Sequence, residues 1–157
     1  AYELIHNAGL AGLRVASAAR AQGGNASVAA VYTALGNAIH VNGRREELAK
    51  DPRSFFLSIV ADAGLPAEVA AAFEDSTHDE VIRYETEAAL SRTGKDVGTP
   101  ILTFNPKSAN EASLFGPVIS KAPKGDEAMK LWDAVQTIAE SGVAEIKRSL
   151  RAAPQFD

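Results

Sequence analysis

The sequence predicts an α/β protein that is mostly helical and contains one short β-hairpin. Three observations lead to this prediction. Apolar residues recur at helical spacing through most of the first 94 residues. Two β-branched and aromatic runs, Ile101–Phe104 and Leu114–Phe115, flank a polar stretch typical of a turn. An amphipathic segment that carries Leu131, Trp132 and Val135 follows the hairpin and predicts a long helix.

The composition indicates a globular chain with no broad basic surface and no membrane-spanning segment. Its 157 residues are 46% hydrophobic, which suits one sizeable core or two small ones. Sixteen basic and 20 acidic residues give a net charge of -4, and no basic stripe is interleaved with aromatic residues. No apolar stretch approaches the roughly 18 residues needed to span a bilayer. We therefore expect a cytoplasmic protein with neither nucleic-acid nor membrane partners.

The chain contains no cysteine. This excludes disulfides, thiolate metal sites and a cysteine nucleophile within these residues. The chain also opens inside a helical period at Ala1, without an initiating Met or a capping residue. We therefore expect further residues to precede Ala1 in the parent protein.

The first 94 residues predict a block of five helical segments. Asn25 and Asp51 are of the type that caps helices, and Pro52 suits a first helical position. Thr77 and Glu80 stand at capping-box spacing before the last segment. The predicted segments cover about residues 1–23, 25–42, 51–64, 65–73 and 77–94.

An isolated two-stranded hairpin is marginally stable in water, so the predicted hairpin needs further strands. The sequence predicts none. Either a second copy of the chain supplies them, as a homodimer or by strand pairing in trans, or an N-terminal βαβ segment of roughly 30 residues completes the sheet. The uncapped start favours the second alternative. After the long helix, "GVAEIKRSL" predicts a last helix and "RAAPQFD" a tail.

Specific stretches along the whole chain resemble a known family. The order of helical block, Gly98-Thr99-Pro100, hairpin and amphipathic helix resembles the second half of a DsbA-like thioredoxin-fold oxidoreductase. The resemblance is closer still to the actinobacterial mycothiol-dependent nitroreductases of that superfamily. It is carried by "VYTALGNAIH", "ADAGLPAE", "DVGTP", "LFGPVISKAPKGDEAMKLWDA" and the closing "PQFD".

The resemblance implies a thioredoxin-like α/β fold of the DsbA type. Residues 1–94 would be the inserted α-helical lid domain, and residues 95–157 the C-terminal ββα half of the thioredoxin-like domain. The stretch "NPKSANEAS" departs from the group because it is longer than the hairpin turn expected there.

The resemblance also implies a thiol-dependent oxidoreductase that cycles a dithiol. The Cys-Pro-Trp-Cys type motif of such enzymes would lie upstream of Ala1, so the chain alone is predicted to be inactive. Mycothiol or another low-molecular-weight thiol would be the reductant, with no tightly bound cofactor. The substrate would be a small molecule or a thiol.

The same resemblance assigns the site residues. Thr99 and Pro100 would form the catalytic loop, with Pro100 cis and facing the absent dithiol and with the Thr99 backbone free to pair with substrate. On the residues alone, a proline at the start of a strand is usually trans. Gly98 would bind substrate. His40 either lines a substrate cleft or is a charge partner for a helix C-terminus, and the residue pattern favours the second.

Other candidate residues favour structural roles. His6, His40 and His78 include no pair at the spacing of a helical metal site, so no metal is predicted. The acidic residues around Asp75 and Asp79 straddle a helix start and suit a solvated cap better than an acid–base pair. Met129 and Trp132 lie on a predicted core face and suit packing.

Two alternative functions remain open. Kappa-class glutathione transferases and hydroxychromene carboxylate isomerases share the resembled arrangement and use a serine in place of the first cysteine. A non-catalytic helical binding module would explain the absence of cysteine. The unpaired hairpin argues against such a module, because it has no use for an exposed sheet edge.

Overall fold

A computed structural model describes residues 2–146, 150 and 152–155, with the side chains described from residue 8 onward. It divides the chain into two compact units, Ala1–Glu85 and Thr86–Asp157. The assignment of a lid domain to residues 1–94 and of a thioredoxin half to residues 95–157 stays a prediction. No described helix is long and apolar enough to cross a membrane.

The first unit is helical. Its longest helix is interrupted at Gly23 and Gly24, where the backbone leaves helical geometry and Gly24 takes a φ of 63°. This is the point at which the sequence predicts a break. In chain order the elements are α1 (Tyr2–Gly36), a π-helical turn (Asn37–Val41), α2 (Arg45–Lys50), α3 (Pro52–Asp62), 3-10 helices at Ala67–Glu74 and Ser76–His78, and α4 (Asp79–Thr93), which ends in the second unit.

The start of α3 confirms the predicted cap. The Asp51 carboxylate accepts a hydrogen bond from the Ser54 amide at 3.1 Å and one from the Ser54 hydroxyl at 2.6 Å. Pro52 occupies the first helical turn, where its missing N–H leaves no intrahelical hydrogen bond unmade. The hydrogen bonds from Ser54 lower the pKa of Asp51.

The start of α4 differs from the predicted capping box. The Asp75 carboxylate accepts from the Thr77 amide at 2.9 Å and from the Thr77 hydroxyl at 2.7 Å. The chain therefore makes a 3-10 turn over Ser76–His78 first, and α4 begins only at Asp79. The prediction that Thr77 caps this helix is wrong, because the carboxylate two residues earlier is the competing acceptor.

One apolar core fills the first unit. Phe56 lies at its centre, edge-on to Phe55 and stacked on Phe73, with both ring centroids 5.5 Å away. The aromatic side chains of α3 therefore pack against the first 3-10 helix, and α1 packs against both elements. The buried members of the core are Val15, Ala19, Val31, Ala34, Ala38, Leu48, Phe55, Phe56, Ile59, Val60, Val69 and Ala70.

A bidentate ion pair fastens the start of α4 to α1. Arg14 donates from Nε and Nη2 to the two carboxylate oxygens of Asp79, each at 2.7 Å, and from Nη1 to the Phe73 carbonyl at 3.3 Å. The hydrogen bond from Arg14 holds the pKa of Asp79 below its ordinary value. Beside this pair, His78 Nδ1 lies 3.0 Å from the Ser17 hydroxyl. Among the acidic residues around this helix start, Asp79 thus forms an ion pair with Arg14, whereas Asp75 caps the preceding 3-10 turn.

The second unit contains the predicted hairpin. Strands β1 (Ile101–Phe104) and β2 (Ala112–Phe115) pair antiparallel, with Ile101 opposite Phe115 and Phe104 opposite Ala112. Helix α5 (Asp126–Glu140) packs against both strands. Within residues 86–146 and the short described pieces after them, these two strands are the whole sheet.

The C-terminal region differs from two predictions. Helix α5 ends at Glu140 because Gly142 has a φ of 75°, and residues 143–146 are not helical. The predicted last helix is therefore wrong over that range, and its residues 147–149 lie outside the described ones. The closing segment is also not a free tail, because the Gln155 amide donates to the Ser120 carbonyl at 2.7 Å.

The Arg14–Asp79 pair predicts an acid-dependent loss of stability. The pKa of Asp79 is lower in the folded state, so the unfolded chain binds a proton first as the pH falls below about 4, the ordinary Asp value. The stabilisation is present above that pH and is lost as the pH falls through the folded pKa. We expect Asp79→Asn to lower the urea midpoint at neutral pH and to flatten its acid dependence, measured by far-UV circular dichroism.

The control for this prediction is Glu80→Gln, which removes a charge from the exposed neighbouring residue and leaves the Arg14 contacts intact. It should keep the acid dependence of the unmodified protein. Parallel curves of urea midpoint against pH for Asp79→Asn and the unmodified protein would contradict the prediction.

Candidate functional site

The loop Gly98–Pro100 enters the hairpin and is exposed over all three residues. The Thr99–Pro100 peptide bond is cis, and so is the Gly116–Pro117 bond that follows β2. The two prolines flank the same end of the hairpin, because the Gly116 amide donates to the Pro100 carbonyl at 2.8 Å. This hydrogen bond continues the strand ladder by one step beyond the pair Ile101 and Phe115.

The backbone of Thr99 is available for pairing. In the part of the chain that the structure describes, no hydrogen bond uses its N–H or its carbonyl. Since an exposed backbone donor and acceptor beside a strand form a template for another extended segment, this residue can bind a peptide-like ligand. Thr99 thus offers one donor and one acceptor at a fixed place.

Phe115 forms the apolar floor below the loop. A Cβ atom added to Gly98 would lie 3.6 Å from Cε2 of the Phe115 ring, which is ordinary van der Waals contact. The Gly98 backbone therefore passes close to that ring without requiring a glycine for space.

The contact between Phe104 and Trp132 holds the hairpin on α5. Phe104 is only 7% exposed, and its ring centroid lies 5.2 Å from that of Trp132 at an interplanar angle of 57°. Trp132 is therefore a packing residue, as predicted, although 49% of it stays exposed. Met129 is 61% exposed, so the packing role predicted for it is wrong.

Hydrogen bonds order the long turn between the strands. The Glu111 carboxylate accepts from the Lys107 amide at 2.7 Å and from Arg92 Nε of α4 at 3.1 Å, and both bonds lower its pKa. Asn105, which has a φ of 49°, donates from Nδ2 to Glu140 of α5 at 2.9 Å. The turn is thereby attached to both helices of its unit.

His40 lies in the first unit, and Gly98–Pro100 lie in the second. His40 lies exposed on the π-helical turn. His78 contacts Ser17, as described above, and the side chain of His6 lies outside the described ones. Among the described residues, no group of three His, Asp or Glu side chains could hold a metal ion.

Comparison with known proteins gives a match along most of the chain. The model of the Rv2466c-like family, described as mycothiol-dependent nitroreductase Rv2466c, matches residues 1–148. The chain belongs to this family. The Rv2466c-like family is a family of enzymes, thiol-dependent oxidoreductases in general terms. The match confirms the resemblance to mycothiol-dependent nitroreductases, whereas the DsbA type of thioredoxin fold stays a prediction.

No role was predicted from the sequence for three residues of this region. Phe115 lies against Gly98, Gly116 bonds to Pro100, and Glu111 orders the turn. A Gly-Pro pair follows β2 just as a Thr-Pro pair precedes β1, and this similarity is the sequence signal that could have indicated a role for Gly116. Neither Phe115 nor Glu111 has such a signal, because their contacts depend on the strand register.

The ring contact predicts the effect of truncating Phe104. Phe104→Ala should lower the free energy of unfolding of the second unit by about 3 kcal/mol, because it removes a buried ring and leaves a cavity. The emission of Trp132 should move to longer wavelength as its ring becomes wetter. Since Trp132 is the chain's one tryptophan, urea titration followed by its fluorescence reports on this unit alone.

Met129→Ala on the same helix is the matched control, because Met129 is largely exposed. It should change the free energy of unfolding by no more than about 0.5 kcal/mol. Equal destabilisation by the two substitutions would show that the Phe104 contact does not hold the hairpin.

Proposed function

We propose that these residues form the dithiol-free part of a mycothiol-dependent oxidoreductase. In this proposal residues 1–94 are an α-helical lid, and residues 95–157 are the ββα half of a thioredoxin-like domain of the DsbA type. The membership in the Rv2466c-like family supports the chemistry. The observation that carries the proposal is the exposed, unpaired backbone of Thr99 beside β1.

The role proposed for the loop is to position an extended thiol compound. The N–H of Thr99 donates to a carbonyl of that compound, and the carbonyl of Thr99 accepts from one of its amides. The Phe115 ring, which lies close to the Gly98 backbone, provides an apolar surface beside the loop for a thiol with peptide bonds. Pro100 carries no N–H, so it cannot compete with Thr99 as a donor.

The electrons come from thiols outside these residues, since the chain contains no cysteine. Mycothiol, or another small thiol, supplies two electrons and two protons when the thiols of two molecules are oxidised to one disulfide. A nitro group that accepts them becomes a nitroso group and releases one water, so the reaction balances. The loop residues supply position and hydrogen bonds, and they neither gain nor lose electrons.

The proposal predicts that material consisting only of these residues is redox-inactive. Intact mass spectrometry and thiol counting after denaturation and reduction identify such material by a mass near 16.5 kDa and no thiol. We expect it to show no mycothiol-linked reduction of a nitro compound or disulfide. Turnover by that material would contradict the proposal, whereas a larger mass with two thiols identifies a form in which turnover is expected.

In such a dithiol-bearing form, the proposal predicts a specific effect at residue 99. Thr99→Pro removes the backbone donor, and the loss of one hydrogen bond should lower kcat/KM roughly threefold to tenfold. Thr99→Ala keeps the donor and should retain kcat/KM. The emission of Trp132 and far-UV circular dichroism check that both variants are folded. Equal losses in the two variants would show that the side chain acts and the backbone does not.

A further inference from the structure

A cleft in the first unit is separate from the loop proposed to bind thiols. It has a volume of about 520 Å³ and lies between the C-terminal part of α1, the π-helical turn and the end of α3. This volume is in the range of small-molecule sites. Its lining includes four polar side chains, Thr33, Asn37, Asn42 and Asp62, above a floor of alanine methyl groups.

The π-helical turn explains why two asparagines face the same cleft. Residues five apart on an α-helix point about 140° away from each other. Here the Asn42 amide donates to the Asn37 carbonyl at 2.8 Å, which is the i to i+5 hydrogen bond of a π-helix. The wider turn brings residues 37 and 42 to one side, so both side chains line the cleft.

The polar side chains of the cleft are not used within the protein. In the described residues, Thr33, Asn37, Asn42 and Asp62 make no side-chain hydrogen bond and no ion pair. A small number of polar groups that converge over an apolar lining is the usual composition of a ligand site. Together they offer two amides and one hydroxyl, which both donate and accept, and one carboxylate, which accepts.

The charge of the cleft is negative. Asp62 is the charged residue of its lining. The neighbouring cation, Arg44, donates from Nη2 to Glu47 at 2.8 Å and to Ser58 at 2.9 Å, and its guanidinium lies 5.4 Å from the Phe55 ring centroid. Asp62 contributes only a minor attraction that raises the pKa of Arg44. The Asp62 carboxylate is therefore left to attract a cation from solution.

From this arrangement we propose that the cleft binds a small ammonium compound that carries several hydroxyl groups, such as an amino sugar. Asp62 binds the ammonium group, and Asn37, Asn42 and Thr33 bind the hydroxyl groups. The C–H face of the sugar ring packs on the alanine floor, where no larger side chain blocks it. The lining contains no Lys, Arg or His side chain, so we expect phosphorylated sugars not to bind.

The test is a titration of the full chain with glucosamine below the pKa of its amine, followed by amide NMR shifts. We expect saturable shifts of Asn37 and Asn42 with a Kd of about 1 to 10 mM. Glucose, which has the same hydroxyl groups and no charge, should bind roughly tenfold more weakly, and glucose 6-phosphate should not bind. Absence of saturable shifts at the cleft would overturn the proposal.

Two variants measure how much the Asp62 charge contributes to binding. Asp62→Asn should weaken glucosamine binding about tenfold and remove the preference for glucosamine over glucose. Asp96→Asn makes the same change at an exposed residue of the second unit and should leave both affinities unchanged. An unchanged preference in Asp62→Asn would refute the ammonium site. Thiol-linked turnover does not enter this test, so either proposal can fail without the other.

Discussion

The tilted ring contact between Phe104 and Trp132 holds the hairpin of the second unit on helix α5. A sheet of two strands has two open edges and little surface with which to exclude water, so it needs an apolar cover on at least one face. Helix α5 provides that cover through Trp132. Thr103 lies on the opposite face, where its hydroxyl is 2.9 Å from that of Ser113. The hairpin is thus apolar towards the helix and partly polar on its other side.

The packing of the hairpin on α5 fixes the position of the loop before β1. Pro100 is bonded to Gly116 across the end of the hairpin, and Gly98 lies on the Phe115 ring. The backbone of Thr99 lies between these two contacts and makes no hydrogen bond to any residue that the structure describes. In the proposed function, this loop acts through main-chain groups, so its role does not require a cysteine within these residues.

Much of the fold could be predicted because its determinants are local. The break at Gly23-Gly24, the Asp51 cap and the two strands each follow from the residues at that position. The family could likewise be recognised from contiguous stretches. The helical segment predicted at 65–73 is present as a 3-10 helix at Ala67–Glu74. Helix α2, the 3-10 turn at Ser76–His78 and the capping of that turn by Asp75 were missed, because each depends on a balance between similar hydrogen-bonding alternatives.

The candidate sites were predictable only where one segment forms them. Thr99 and Pro100 are adjacent within "DVGTP", one of the stretches that carry the family resemblance, so the loop could be proposed from the sequence, and its role stays a prediction. The cleft joins Asp62 of α3 to Asn37 and Asn42 of the π-helical turn, and no periodicity in the sequence brings these residues together. Their meeting requires both the packing of α3 against α1 and an irregular turn, and sequence patterns based on the α-helical period describe neither.

The π-helical turn also has a consequence for how this family can diversify. A π-helical turn is equivalent to one extra residue accommodated within an α-helix. If the same residues instead continued as a regular α-helix, with no residue lost, Asn42 would point about 140° away from Asn37, although every side chain of the cleft would still be present. Relatives that keep these side chains without the π-helical turn would therefore lack the proposed amino-sugar site despite nearly identical composition.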